Sequence, residues 1–387
     1  MGTDKGKTNG RQLLFMFAGF IQGSALLIDF TVGITEHQTW MVILAGLIVT
    51  IPFILSYAAL AKRFPGNDLV RINDMVYGRF IGKALSLYYI FFLSMTLSFN
   101  ILDVGELYVN FLMPDTPFFF LLSVFAAVIA YAVYKGIEAL AKVSHLFVAT
   151  SLFVTISTSL LLVDQMDFTR FQPLFELPFI KLLQGIHIMS IIPFGETIAF
   201  LMIMEHMNDT KGPARYSFFG VLVGAASLLI VSVRNTAVLG RTQTIWTSPS
   251  FQSIRLIDIG TVLTRMDFLI GIAQTMLIFF KCSIFLYALT TALSQLFGLK
   301  SYKPLVLPVV GIEVIIAATV FQSPVDHAEI TQNAGIIYSA PLIYLFPPLT
   351  LLIAKIRGLP KTERSRGNDL PFAGLCSHLS GQRPRSC

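Results

Sequence analysis

Ile191-Ile192-Pro193-Phe194-Gly195-Glu196 sets a proline, a glycine and a carboxylate inside an otherwise apolar run from Ile186 to Met204. Proline lacks the N–H that would pair four residues back, and glycine two positions on favours non-helical torsions, so a helix breaks here. In hydrocarbon, backbone groups freed in this way persist only where protein or a polar cavity satisfies them. Broken spans of this kind mark substrate sites in secondary transporters. The plainer alternative is a proline kink with Glu196 facing a neighbouring helix. An acid at mid-membrane depth is costly, which favours a functional reading.

The rest of the chain supplies the membrane that this reading needs. Of 387 residues, 55% are hydrophobic and 13% charged, with 34 phenylalanines and a mean hydropathy of +0.72. A soluble domain carries roughly 25% charged residues. Apolar runs of about 20 residues predict an all-α membrane protein of ten transmembrane helices: 12–30, 39–61, 84–111, 117–134, 139–163, 183–206, 215–239, 268–296, 303–322 and 335–357. Lys5, Lys7 and Arg11 precede the first run as in a signal peptide, but nine further spans follow, so the first helix is expected to be retained.

Short loops rich in lysine and arginine stay in the cytoplasm. With both termini cytoplasmic, 21 of the 28 Lys and Arg residues fall on the inner side and five on the outer, leaving Arg234 and Lys281 inside spans. The net charge of +6 is therefore topological, and no nucleic-acid partner is expected. Cys282, Cys376 and Cys387 make no disulfide framework and no metal-spaced pair, and the six histidines are scattered. No phosphate loop, His-Glu-x-x-His or Gly-x-Ser-x-Gly motif occurs, so neither an enzyme nor a cofactor or metal is expected. Asn208-Asp209-Thr210 fits a glycosylation sequon on the inner side and is read as chance.

Ten spans divide into five plus five, and an odd number per half forces the halves into opposite orientation. Gln22, Gly23 and Ser24 lie about 16 Å into span 1 at 1.5 Å per residue, the depth of the break in span 6. Close packing accounts for Gly19 alone; the Gln22 to Ser24 cluster predicts an unwound segment with backbone exposed to a ligand at Gly23. Interruptions in the first helix of each half are the pointer to an inverted-repeat site, with repeats over about 12–163 and 183–357.

Other polar residues fall around this pair of breaks. Residues 68–77 predict a short amphipathic helix at the inner interface after the turn at Pro65-Gly66. Asp103 and Glu106 are three apart, on one face of span 3; Asp103 is assigned to a polar cavity, and Glu106 is equally an interfacial acid. Arg234 is expected to snorkel to outer water, and segment 240–267 to hold a short helix over the outer mouth. Span 8 is the most polar. Its Lys281 and span 6's Glu196 each lie 13 residues from the outer start of their span, so a charge pair is expected. Spans 9 and 10 read as supporting helices without chemistry, and residues 358–387 as a disordered cytoplasmic tail.

The order Leu60-Ala61-Lys62-Arg63-Phe64-Pro65-Gly66, Pro193-Phe194-Gly195-Glu196, Arg265-Met266-Asp267 and Leu296-Phe297-Gly298-Leu299-Lys300-Ser301-Tyr302-Lys303-Pro304-Leu305-Val306-Leu307-Pro308 resembles the B-subunit family of bacterial spore germinant receptors. That family is related to permeases of the amino acid–polyamine–organocation superfamily. The resemblance spans roughly residues 10 to 357. It implies a ten-span inverted repeat with helices 1 and 6 broken, in the spore inner membrane, partnered by an A subunit and a lipoprotein C subunit. It implies a role in sensing a nutrient such as a small amino acid. The pocket would be lined by Gln22, Gly23, Ser24, Asp103, Pro193, Phe194, Gly195, Glu196, Lys281 and Tyr287. A proton-coupled amino-acid transporter and a ligand-opened ion or water conduit are the alternatives. The tail over residues 368–387 departs from the family, whose members usually end soon after the tenth span.

Overall fold

The computed structural model describes residues 8–206, 213–257, 266–321 and 324–360; the expected sequon, Arg265 and the tail from Lys361 onward lie outside them. Eight continuous helical stretches among the described residues are long and apolar enough to cross a membrane: Thr31–Arg63, Arg79–Leu112, Phe118–Lys135, Ile137–Leu161, Phe179–Met202, Ala214–Ile245, Ile270–Leu296 and Asp326–Ile356. They correspond to expected spans two to eight and ten. The first expected span is instead two short helices, α1 (Gly10–Gln22) and α2 (Ala25–Thr35), parted at Gly23 and Ser24. The ninth holds a helix of 14 residues, Val306–Thr319.

The remaining helices follow in order: α3 (Thr39–Arg63), α4 (Leu69–Tyr77), α5 (Arg79–Leu107), α6 (Phe118–Lys135), α7 (Ile137–Leu161), α8 (Phe179–Met189), α9 (Pro213–Leu239), α10 (Pro249–Arg255), α11 (Met266–Leu296), α12 (Val306–Thr319), α13 (Pro324–Ile330), α14 (Ile336–Ala340) and α15 (Phe346–Ile356). Two joints are a single glycine. Gly78 at φ 83° separates α4 from α5, and Gly136 at φ 95° separates α6 from α7. A side chain is strained at these torsions, so glycine lets one helix stop and the next begin without a loop.

The short helix foreseen at 68–77 is α4. Asp68 accepts a hydrogen bond from the Arg71 backbone N–H at 2.9 Å, capping its first turn. Leu69, Val70, Ile72 and Val76 are buried, so the helix lies against the bundle through one apolar face.

Helix α1 runs through the middle of the molecule, packed on α7, α9 and α11. Ile48, Phe80, Phe120, Phe153, Leu160 and Leu307 lie exposed on the outside of the bundle. Large apolar side chains on the outside of a helical bundle are what lipid requires.

Candidate ligand site at the broken helices

Span 6 loses its helix where the sequence predicts. Helix α8 passes into a π-helical turn, Ser190–Phe194, in which Ile192 is extended (φ −114°, ψ 115°), and continues as a 3-10 helix over Gly195–Met202. The backbone groups this frees are met by neighbouring side chains. The Thr50 hydroxyl of α3 donates to Ser190 O at 3.2 Å, and the Thr197 hydroxyl donates to Phe194 O at 2.5 Å. Residues Pro193 to Glu196 are all buried. A Cβ on Gly195 would lie 2.7 Å from Ile343 Cδ1 and 2.9 Å from Ser190 O, so the break is also a place of close packing.

Span 1 breaks opposite. The Gly23 N–H still donates to Gly19 O at 3.0 Å and the Ser24 N–H to Ile21 O at 3.0 Å, so the chain turns tightly between α1 and α2. Gly23 was expected to bring backbone to a ligand. The structure gives it a packing contact: a Cβ there would stand 2.8 Å from Leu277 O and 2.9 Å from Lys281 Cβ of α11.

That close approach delivers Lys281 to the site. Its Nζ lies 2.7 Å from Glu196 Oε2 and donates to Ser24 Oγ at 2.6 Å, and the side chains of Lys281 and Glu196 are 0% and 2% exposed. Phe20 and Phe285 place their rings 5.6 Å and 5.8 Å from the ammonium, near enough for cation–π attraction. Phe17 stacks on Phe200 at 3.9 Å, so aromatic side chains lock α1, α11 and the 3-10 half of span 6 around one charge pair.

Gln22 is buried, and neither its amide oxygen nor its nitrogen has a hydrogen-bond partner among the described residues. Each buried polar atom left so costs about 1–3 kcal/mol. Narrow cavities flank the pair: one lined by Gln22, Thr158, Arg234 and Gln274, the other by Glu196, Asn100, Thr331 and Tyr338.

Two expected site residues lie elsewhere. Tyr287, two turns along α11, packs edge-on to Tyr302 at 5.1 Å. Asp103 faces His327 at 3.8 Å.

Three buried charges were not anticipated. Arg234 does not snorkel to water. It is 3% exposed and donates to the Thr158 hydroxyl at 2.9 Å and to Asn235 Oδ1 at 3.0 Å. Asn235 donates to Ser250 Oγ at 2.9 Å, and Ser248 and Ser250 donate to Asp29 at 2.6 Å and 3.2 Å. This network ties α10, the short helix foreseen in segment 240–267, to α2 and α9. In the expected ninth span, read as free of chemistry, Glu313 is buried and accepts hydrogen bonds from the Ser94 and Ser98 hydroxyls. Asp29 and Glu313 are lone acids in apolar runs, a signal that the sequence did carry.

Two interrupted helices brought together at a buried ion pair give this membrane protein a transporter-type fold. Solved structures agree. The chain is similar to MhsT in complex with L-phenylalanine, at TM-score 0.67 and 14% identity over 94% of this chain and 92% of that one. It is also similar to Mhp1, a nucleobase-cation-symport-1 family transporter solved in a closed conformation with bromovinylhydantoin bound, at TM-score 0.66 and 16% identity over 92% of this chain and 82% of that one. Such likeness shows the fold. A family model described as spore germination protein matches residues 7–325, and the chain belongs to that family. Among its relatives, spore germination protein KB of Bacillus subtilis (strain 168) is 27% identical over 95% of this chain and 99% of that protein. Spore germination protein B2 of the same strain is 26% identical over 61% of this chain and 64% of that protein.

Proposed function

We propose that this chain is the nutrient-sensing membrane subunit of a spore germination receptor, holding a small amino acid where the two broken spans cross. Gln22, Ser24, Glu196 and Lys281 are its polar contacts. The observation that carries the reading is the buried ion pair of Lys281 with Glu196 and Ser24, set between two interrupted helices. A zwitterion needs both signs of charge, and this pair offers both. Half-helix N-termini favour its carboxylate, and freed carbonyls accept its ammonium. Ligand entry then shifts a conformational equilibrium, because it competes for the contacts that hold Lys281, Glu196 and Ser24 together.

The family, and relatives named as spore germination proteins, support the receptor role. Placement in the spore inner membrane with both termini cytoplasmic, and partnership with an A subunit and a lipoprotein C subunit, belong to the same proposal. The transporter fold supports a second reading, a proton-coupled amino-acid transporter.

Binding and counterflow of labelled amino acids in proteoliposomes, with and without the A and C subunits, test both. The receptor reading expects saturable binding that Glu196→Gln abolishes, with no counterflow. Counterflow by the chain alone establishes the transporter. Binding confined to sugars or nucleosides overturns the amino-acid site.

A further inference from the structure

Outside the ion-pair site, Asp103 and Glu106 stand one turn apart on α5 and both turn toward His327 of α13. His327 Nδ1 lies 3.8 Å from Asp103 Oδ1 and 3.7 Å from Glu106 Oε2. One ligand atom from each residue falls within 4.8 Å of the others. The side chains of His327, Asp103 and Glu106 are 0%, 3% and 16% exposed. Asp103 Oδ1 is buried and has no hydrogen-bond partner among the described residues. The imidazole is held in place by Phe321, stacked at 4.8 Å, and Phe99, edge-on at 5.6 Å.

These distances suit a cation. Oxygen and nitrogen ligands bound at about 2.0–2.2 Å in a tetrahedron stand roughly 3.3–3.6 Å apart, so the imidazole reaches that spacing to each carboxylate with shifts of a few tenths of an ångström, and the two carboxylates, within 4.8 Å of each other, need only draw together. A cleft opens beside them between apolar walls of Leu26, Leu107 and Phe111, with Asp29, Asn110 and Ser248 offering places for a further ligand. Two carboxylates also balance a double positive charge in a setting where uncompensated charge is costly.

We propose that Asp103, Glu106 and His327 bind a divalent transition cation of the zinc or manganese class. One imidazole with two carboxylates selects this class over calcium and magnesium, which favour all-oxygen shells. The cation ties span 3 to α13, the first turns of the last span. Asp103 is within electrostatic reach of Glu196 and Lys281, so occupancy alters the field at the broken helices. The site stands on its own residues and does not depend on what the broken helices bind.

The test uses the full chain, purified in detergent and stripped with a chelator, and titrated calorimetrically with zinc chloride and separately with manganese chloride in the absence of any nutrient. About one cation per chain is expected, with affinity falling more than tenfold in Asp103→Asn, Glu106→Gln and His327→Gln. Cobalt should give a visible absorption band that His327→Gln removes. Glu106 is the most exposed of the three, so Glu106→Gln is the variant best placed to stay folded, checked by gel filtration and melting. Absence of saturable binding in the wild type, or unchanged affinity in folded Glu106→Gln, overturns the proposal and leaves a histidine facing two carboxylates.

Discussion

At the scale of single residues, Lys281 and Glu196 set the terms. Removing one member of a buried pair strands the other and costs about 3–5 kcal/mol, whereas replacing both with apolar groups of similar volume is often near neutral. Lys281→Met and Glu196→Gln should therefore each lower the amount of folded protein, and the double variant should recover it while the nutrient response stays absent. Melting of the purified variants closes the cycle, and strictly additive losses mean the residues do not interact. The pairing was legible because both residues sit at one depth and two mid-membrane charges need each other. The Asp29 to Arg234 network was not, because its links are serines and an asparagine whose neighbours only the fold reveals. Asp68 gives a separate prediction at the same scale. Burial pushes its carboxyl up from the usual range, against the lowering effect of the Arg71 N–H. A raised folded value favours the protonated form, so this contribution to stability is present in acid and is lost as pH rises through the elevated value. Asp68→Asn keeps the cap and should flatten that slope in melts run upward from the ordinary carboxylate range of about pH 4. Asp68→Ala should cost about 1 kcal/mol through the lost cap.

At the scale of elements, an interruption does two things at once: it frees backbone groups and it lets helices come close. The proline and glycine of Pro193-Phe194-Gly195 announce the first effect in the sequence, since their torsional limits are local. The second depends on which helix arrives, and only the fold supplies α11 against Gly23 and Ile343 against Gly195. The same division explains the other elements. Helix α4 was legible from its turn and alternating faces, whereas His327 gave no sign of meeting span 3, which lies more than two hundred residues earlier in the chain. For Gly23 the contact favours close packing over the ligand-facing role expected from sequence. A ligand-facing glycine would tolerate leucine in the folded state and lose only the response. Here the nearest atom to an added Cβ is a backbone oxygen, which cannot swing aside, so Gly23→Ala should already destabilise by about 1–3 kcal/mol and Gly23→Leu should lose folded protein. Membrane-fraction immunoblots beside germination assays check this. Normal protein with a lost response would restore the ligand role.

At the scale of the whole molecule, orientation follows from charge, and the fold adds an independent constraint. The Lys and Arg excess predicts the 62–83 loop and the end of the last span on one side, the cytoplasmic one. The structure joins those two segments directly. Arg63 at the end of α3 donates to Leu359 O at 2.7 Å and to Ala354 O at 3.0 Å, and Arg357 donates back to Val76 O in α4. Arginines here satisfy the carbonyls at helix C-termini, a favourable place for a cation. Because they are locked together, the two segments share a side whatever the absolute orientation, and one labelled position on that face reports for both. In a background without Cys376 and Cys387, Arg71→Cys, whose native side chain is 46% exposed, should resist an impermeant maleimide added from outside and react after the membrane is opened. Thr244→Cys, exposed in the 3-10 turn between α9 and α10, should react from outside at once. The reverse pattern at both positions would invert the molecule while leaving its internal contacts intact. Outside labelling at Arg71→Cys together with protection at a cysteine replacing Arg357 would break the structural pairing itself.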